Sequence, residues 1–577
     1  MPDGARDLVA ALLRACPSVR VLATSREALG LDGEAIFRVP SLSVPGAARP
    51  SDAAALLESE GVELFVDRAA AALPGFTLTP ENAAAIAEIC RRLDGIPLAL
   101  ELAAARVHML GVEQVRARLG DRFKLLARPG ASAPSRRDTV LAVLQWSWDH
   151  LLPAEQQLMR RLAVFTGGWT LERATVVCSD PRDEFEVLDL LTRLAARSLV
   201  VVEHHGGAAP RFRFLESVWR FASDQLEAHA DGPTMRERHL ALYLELAEDS
   251  ERVLNGPGLA GRLAELEPEE ENLLAALHFS AHADDGARRG LRLVASISRF
   301  WSVLGRYELG RRALKEALSR PGADAPGPER AQALLRLAGF DLSIGDYLAS
   351  RHELEESLAI RRASGHRRGI AAALGGLGVV AMFELRLEDA RALGEESLAL
   401  YEELGQTRGV AMALHNLGSV EWALGTPDYG RTRFERALAL LRDVGDVSTE
   451  ALCLSALASS LVHLGELAPA RERLHECLAA LTRVEAKREA VFALEAVVEL
   501  LLALGRPREA ARLMGAAEAA RRALRLPLMP IEKAGMERLE GRAREALGPE
   551  ELTRQRSAGS ALTLPRALAE AAARVEG

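Results

Sequence analysis

Apolar and small residues in the second half of the chain recur with a period of 40 residues. Leucine-rich stretches end at a glycine, and a second stretch follows with a small residue 12 positions further on. This pattern predicts two helices per repeat, the first ending at a left-handed glycine and the second packing closely through its small residue. Neither helix can bury its apolar stripe alone, so neighbouring repeats should stack into a solenoid. The turn positions are Gly305, Gly345, Leu385, Gly425, Gly465 and Gly505, and the small residues are Ala317, Ser357, Ser397, Ala437, Cys477 and Ala517.

The repeated unit resembles the tetratricopeptide repeat, in a form of about 40 residues against the usual 34 or so. The solenoid is predicted over 291–521, after a helical linker over 231–290 and before a helical cap over 522–577. Such a solenoid is expected to hold a protein or peptide on its concave face, and self-association is a further open alternative. Trp301 and Trp422 are candidate contact residues, although core packing is the preferred interpretation for both.

The first residues of the chain have the pattern of a helix followed by a strand. Residues 5–15 are spaced as an amphipathic helix, and 19–24 (VRVLAT) are predicted to form a strand. The pair predicts the end of a parallel α/β sheet, assigned to 1–45. Thr24 and Arg26 follow at the carboxyl end of the strand, where open α/β sheets bind ligands and a guanidinium suits a phosphate. An ordinary surface arginine is the alternative interpretation.

Three segments, in order, resemble the signal-transduction ATPases with numerous domains, a family of nucleotide-binding regulators. They are VLATSREALGLDGEAIFRVPSLSVP (21–45), GVELFVDRAAA (61–71) and LDGIPLALELAAARVHMLG (93–111). The resemblance implies that Arg26 senses the terminal phosphate, and that Gly95 and Pro97 lie against the base and ribose in a helical domain (46–135). Thr24 is implied as a further remnant contact. ATP or ADP is the cofactor that the resemblance suggests, and no other cofactor is expected.

The next part of the chain is similar to the winged-helix domain of the same family, predicted here over 136–230. Residues 139–174 resemble the entry into that domain, and 190–222 have the order helix, strand, glycine turn, strand and helix. The whole chain resembles AfsR-like bacterial regulators that place an ATPase core before tetratricopeptide repeats. The predicted fold class is therefore mainly α, with a short α/β part, a helical domain, a winged helix and an α-solenoid.

The sequence departs from the family at the phosphate-binding elements. A phosphate loop needs a lysine followed by Ser or Thr at the start of a helix. The family's Met-His-Asp segment, whose histidine senses the nucleotide, aligns with Phe214-Leu215-Glu216. We expect the phosphate-holding half and an output domain to belong before residue 1, and therefore expect no enzyme activity from this chain alone. None of the four lysines meets the requirement for a phosphate loop, because the residues that follow them are Leu125, Glu316, Arg488 and Ala534.

Composition and charge narrow the classes of function. Hydrophobic residues make up 49% of the 577 residues, and the net charge of −9 argues against a bulk binder of nucleic acid or membrane surfaces. No apolar run reaches the roughly 18 residues of a membrane span. The five cysteines lack C-x-x-C spacing, which indicates reduced core thiols in a cytoplasmic protein rather than disulfides or a zinc site. No metal site and no catalytic constellation is expected.

These observations predict a cytoplasmic signalling and transcription-regulatory scaffold, the sensing and relay half of a larger regulator. One alternative is an ATP-dependent switch whose phosphate loop comes from a missing N-terminal part or from another chain. A second alternative is a transcription regulator that binds DNA through the winged helix. Residues 136–230 hold 11 arginines, no lysine and 13 acidic residues, whereas DNA-binding faces concentrate basic charge. Direct nucleic-acid binding is therefore not expected.

Overall fold

The computed structural model describes most of the chain from residue 40 onward. The described residues are 40–46, 56–104, 107–118, 140–179, 183–197, 199–204, 209–482, 484 and 486–576, with isolated positions before 40. Thr24 and Arg26 lie outside them, as does nearly all of the predicted N-terminal helix and strand, so those predictions remain predictions. The chain forms two compact units, Met1–His239 and Leu240–Gly577.

The first unit is mainly helical and contains one small sheet. Helix α2 shows how such a helix begins: Thr79 and Asn82 form a capping box, Glu81 lies in the first turn, and one face is buried and apolar. The helices are α1 (Glu60–Ala72), α2 (Pro80–Arg92), α3 (Pro97–Ala104), α4 (Val107–Arg118), α5 (Val140–Asp149), α6 (Pro153–Arg161), α7 (Leu171–Cys178), α8 (Glu184–Ala196) and α9 (Glu216–Glu227). A 3-10 turn, Leu162–Val164, follows α6.

The sheet consists of three short antiparallel strands in the order β1, β3, β2. They are β1 (Trp169–Thr170), β2 (Val201–Glu203) and β3 (Arg211–Arg213). Phe212 of the central strand pairs with both Trp169 and Val202. Trp169 is fully buried, and its ring packs against Phe214 at 4.9 Å between centroids. Helix, strand, strand and helix thus follow one another over 190–222 in the predicted order, while Gly206 and Gly207 lie outside the described residues.

The second unit contains six helix pairs, preceded and followed by further helices. Helix α10 (Gly232–Val253) runs into it from the first unit, and α11 (Leu259–Leu266), a 3-10 turn (Glu267–Glu269) and α12 (Glu270–Ser280) follow. The pairs are α13 (Gly286–Val303) and α14 (Tyr307–Leu318), α15 (Pro328–Ser343) and α16 (Tyr347–Ala363), α17 (Arg367–Phe383) and α18 (Leu387–Glu403), α19 (Thr407–Ala423) and α20 (Pro427–Val444), α21 (Val447–His463) and α22 (Leu467–Leu481), and α23 (Lys487–Ala503) and α24 (Pro507–Leu524). Helices α25 (Pro530–Leu547), α26 (Pro549–Ser560) and α27 (Leu564–Glu576) end the chain. The predicted mainly α fold with a repeat solenoid is confirmed.

The turn within each pair has the left-handed backbone that the sequence predicts. All five turn glycines have positive φ, from +70° at Gly305 to +87° at Gly345. Leu385 takes the same conformation with φ +62°, although a side chain makes it costly. A second series between the pairs was not predicted: Gly365, Gly405 and Gly445 also have positive φ, and Arg525 adopts it at the corresponding place after α24.

The small residue of each second helix is buried, as predicted. The small residue lets the two helices of a pair make a hydrogen bond: Ser397 Oγ donates to the carbonyl of Ala371 in the first helix at 2.8 Å. Ser357 does the same to Ala331 at 2.7 Å. A larger side chain would separate the two backbones and lose this contact.

The prediction of core thiols holds for four cysteines and is wrong for Cys16, which is exposed. Burial raises the pKa of Cys90, Cys453 and Cys477 to about 12, so these thiols stay protonated. Among the helices of the described residues, none is both long enough and apolar enough to cross a membrane.

Candidate functional site

Gly95 lies in the loop between α2 and α3 and serves backbone packing. Its carbonyl accepts a hydrogen bond from the N–H of Leu42 at 3.0 Å. A Cβ at this position would stand 2.1 Å from the carbonyl oxygen of Leu42, and φ is +62°, so the site requires glycine. Pro97 begins α3 and is exposed. Because Thr24 and Arg26 lie outside the described residues, the four predicted nucleotide contacts stay a prediction.

The segment 41–46 is fastened to the start of α1 by reciprocal hydrogen bonds. The N–H of Ser43 donates to Glu60 Oε2 at 3.1 Å, and the N–H of Glu60 donates to Ser43 Oγ at 2.9 Å. Ser59 Oγ also donates to the carbonyl of Ser43 at 2.7 Å. The segment therefore holds the Gly95 loop and α1 together. Sequence reasoning missed this role of Ser43, which is a helix-capping arrangement supplied from a distant segment.

Asp94 connects the same loop to α9. Its φ is +56°, and its Oδ2 accepts a hydrogen bond from the N–H of Ser217 at 3.1 Å. Ser217 lies in the first turn of α9, directly after Phe214-Leu215-Glu216, and a carboxylate there is favoured by the helix dipole. The loop thus contacts the residue that directly follows the segment aligned with the family's nucleotide sensor, 123 positions away in the chain.

The helix before β2 is acidic on its exposed side. In winged-helix proteins this is the helix that enters the major groove. Here α8 carries Glu184, Glu186 and Asp189 against Arg193, and Phe185 is 83% exposed. Repulsion from phosphates would oppose docking of α8 on DNA.

In the second unit, charged side chains from different repeats converge on Asp446. Asp446 is 1% exposed and caps α21 by accepting from the N–H of Thr449 at 3.2 Å. Arg408 Nε donates to Asp446 Oδ2 at 2.8 Å, and Arg299 Nη2 lies 3.8 Å from Oδ1. Burial opposes ionisation of Asp446, but Arg408, Arg299 and Thr449 outweigh it, so its pKa lies below the ordinary value.

Further buried polar groups extend this cluster. Burial raises the pKa of Tyr307 to about 12, and the charges of Arg488, Glu489 and Arg299 also act on it. Burial and the charge of Arg488 lower the pKa of His415 to about 4. We call the set Arg299, Tyr307, Arg408, His415, Asp446, Arg488 and Glu489 the arginine cluster.

Several buried atoms in and beside the arginine cluster lack a hydrogen-bond partner among the described residues. They include Arg299 Nε and Nη2, the hydroxyl of Tyr307, His415 Nδ1 and the hydroxyl of Ser448. Buried polar groups are normally satisfied, and leaving one unsatisfied costs about 1–3 kcal/mol. The arginine cluster therefore contains polar atoms whose hydrogen-bonding capacity the described residues leave unused. The arginine cluster also holds three guanidinium groups against two carboxylates.

Two arginines of the cluster share one position of the repeat. Arg408 and Arg488 lie 80 residues apart, two repeat lengths, in the first turns of α19 and α23, with Ser448 at the intervening repeat. This spacing was the signal by which sequence reasoning could have found the cluster. Of the candidate aromatics, Trp301 is core, at 1% exposure, whereas Trp422 is half-buried with its ring 5.4 Å from that of His463.

Comparisons with known proteins support the repeat assignment. The model of the tetratricopeptide repeat family matches residues 329–403 and 409–483, so this chain carries tetratricopeptide repeats. The chain is similar to "Putative HTH-type transcriptional regulator Rv0890c" of Mycobacterium tuberculosis, 41% identical over 322 residues, which are 55% of this chain and 33% of the relative. It is also similar to "Uncharacterized protein Rv0894" of the same organism, 38% identical over 239 residues, 41% of this chain and 57% of that protein. The chain thus spans about a third to about half of the length of these relatives.

Two solved structures are similar at low identity. One is the signal transduction ATPase with numerous domains that has a tetratricopeptide repeat sensor, from Pyrococcus horikoshii, with 14% identity and a TM-score of 0.39 over 89% of this chain and 74% of that chain. The other is a Rap protein complexed with Competence and Sporulation Factor, with 13% identity and a TM-score of 0.36 over 55% of this chain and 99% of that chain. Likenesses of this size establish no function for the present chain.

Proposed function

We propose that this chain is the sensing and relay part of a regulator, and that its repeats bind a protein or peptide through an acidic group at the arginine cluster. The observation that carries the proposal is that buried donors of Arg299 and Tyr307 have no hydrogen-bond partner among the described residues. The arginine cluster also sets three guanidinium groups against two carboxylates. A carboxylate fits both features, because guanidinium groups bind it through charge-assisted hydrogen bonds.

The relay is proposed to pass through the helical and winged-helix parts of the first unit. The bond between Asp94 and Ser217 supports this, because it joins the loop after α2 to the start of α9. We propose that a change at this contact passes the signal between the two elements. The chain itself is proposed to be no ATPase, since none of its four lysines stands in a phosphate loop. A nucleotide at Thr24, Arg26, Gly95 and Pro97 would need phosphate-binding residues from another source.

The proposal is tested with two fluorescein-labelled pools of random peptides, one with a fixed Asp-Glu pair and the other with a fixed Lys-Lys pair. Fluorescence anisotropy should show binding of the acidic pool, with an affinity that falls as salt is added. Arg299→Gln should weaken binding about tenfold, the equivalent of about 1.4 kcal/mol and close to one charge-assisted hydrogen bond. Arg312→Gln on the exposed side of α14 is the matched control. Equal binding by both variants, or a preference for the basic pool, would refute the proposal.

A further inference from the structure

The chain that follows the last repeat returns to the turns of the earlier repeats. Helix α24 ends at Leu524, Arg525 has a left-handed backbone with φ +54°, and residues 526–529 are not helical. Met529 is extended, and α25 begins at Pro530. Leu524 Cδ2 lies 2.8 Å from the position that a Cβ would take at Gly305. We call residues 524–532 the return segment.

Successive residues of the return segment meet successive repeats. Pro527 Cγ lies 3.1 Å from the Cβ position of Gly345, the turn of the second pair. Pro530 lines a notch of about 500 Å³ with Phe383 and Leu385, at the turn of the third pair. Ile531 packs against the buried group formed by Ala381, Met382, Ala390 and Val420.

The spacing of the contact residues along the return segment matches the distance between neighbouring repeats. Leu524, Pro527 and Pro530 are three residues apart, and three residues of chain span at most about 10 Å. The first helices of neighbouring repeats pack on one another, and packed helices lie about 8–10 Å apart. A peptide whose apolar residues are three positions apart can therefore place one of them at each of these turns.

Side chains hold most of the return segment in place. Met529 is buried and its sulfur accepts from the hydroxyl of Tyr347 at 2.6 Å. Arg521 donates to the carbonyl of Pro527 at 3.1 Å and to Glu532 at 3.1 Å. Leu528, by contrast, is 44% exposed. Only a few side chains therefore hold the return segment on the repeats, and a partner peptide could compete for the same surface.

The return segment also brings an acidic residue toward the arginine cluster. Glu532 pairs with Arg521 at 3.1 Å, and Arg521 and Arg488 both lie over the ring of Phe492, at 5.4 Å and 5.8 Å from its centroid. Along the return segment, the apolar residues and prolines that meet the row of turns are followed by a glutamate. Its negative charge suits the positively charged arginine cluster.

We propose that the return segment is an internal ligand, which occupies the site of an extended partner peptide with apolar residues at three-residue intervals followed by an acidic residue. Binding of the partner displaces the return segment, so the repeats are autoinhibited until it arrives. This inference rests on the proposed function, because it names the kind of peptide that the repeats bind.

The test uses a fluorescein-labelled peptide with the sequence of residues 522–534, RALRLPLMPIEKA, and the full chain. Met529→Ser with Ile531→Ser weakens internal docking, and serine at 529 preserves the start of α25 because it is a favoured N-cap. This double variant should bind the peptide at least tenfold more tightly than the wild type, since a larger fraction of its sites is free. Leu528→Ser, at an exposed position of the same segment, should bind as the wild type does. Adding Tyr347→Ala to the double variant should remove the gain.

A folded double variant with wild-type affinity would show that the return segment is a permanent part of the fold and would overturn the proposal. If the double variant does not fold, hydrogen exchange of the wild type decides. A saturating unlabelled peptide, with norleucine in place of methionine so that its fragments differ in mass, should speed exchange at residues 526–533. Unchanged exchange there would also overturn the proposal. If the acidic pool still binds and still needs Arg299, the proposed function survives that failure.

Discussion

Asp446→Asn should destabilise the second unit strongly while keeping the cap of α21. Asparagine is as good an N-cap as aspartate, so the bond to Thr449 is retained and the negative charge is lost. Arg299 then lacks its nearest carboxylate and Arg408 loses its 2.8 Å partner. Breaking a buried ion pair costs about 3–5 kcal/mol, and we expect the lower end because Arg408 partly reaches solvent. Asp446→Ala should cost about 1 kcal/mol more, the usual value of an N-cap.

The assay is urea unfolding followed by far-UV circular dichroism at several pH values. The folded-state pKa of Asp446 is lowered, so its contribution is present above the unfolded pKa of about 3.9 and is lost as the pH falls through the lower folded-state value. The difference between wild type and Asp446→Asn should therefore shrink below about pH 4. Asp346→Asn is the control, since Asp346 caps α16 but is much more exposed. A cost at Asp446 no larger than that at Asp346, or one independent of pH, would refute the reasoning.

Two further predictions concern backbone conformation. Leu385→Gly should stabilise the chain by about 0.5–1 kcal/mol, because relief of the left-handed leucine backbone exceeds the entropy cost of glycine. Leu504→Gly is the control and should destabilise the chain, because Leu504 has φ −81°. Calorimetric melting that shows no such contrast would count against this account. Gly95→Ala should lower the free energy of unfolding by about 2 kcal/mol or more, because of the left-handed backbone and the clash with Leu42. Gly75→Ala, at an open position with φ +87°, should lose only the backbone contribution. Equal losses in thermal stability would mean that the Leu42 contact is unimportant.

The solenoid could be predicted because its determinants are local and repeated. A turn residue, a leucine stripe and a small residue recur every 40 positions, and five of the six turn residues are glycine. The period alone placed Leu385 in a left-handed turn, against the preference of leucine. The turns between pairs were missed because their glycine series is shorter and ends at Arg525.

The candidate site could not be predicted in the same way, because it depends on contacts between distant residues. Arg299 and Asp446 meet across 147 positions of the chain, and no local pattern marks either residue. Gly95 was singled out as a nucleotide contact, whereas its close approach to Leu42 gives it a structural role that a single sequence does not reveal. The return segment falls within the predicted helical cap over 522–577, but its contacts with earlier turns follow from tertiary packing.

The central claim is that the repeats bind an acidic peptide at the arginine cluster, and hydrogen exchange with the acidic peptide pool locates that binding most directly. The account predicts slower exchange in the first turns of α19, α21 and α23, where Arg408, Ser448 and Arg488 lie. It predicts no change around Arg312 in the middle of α14, where the side chain faces solvent and lies outside the arginine cluster. Protection confined to the residues around Arg312 or to the first unit, with none in those three turns, would contradict it.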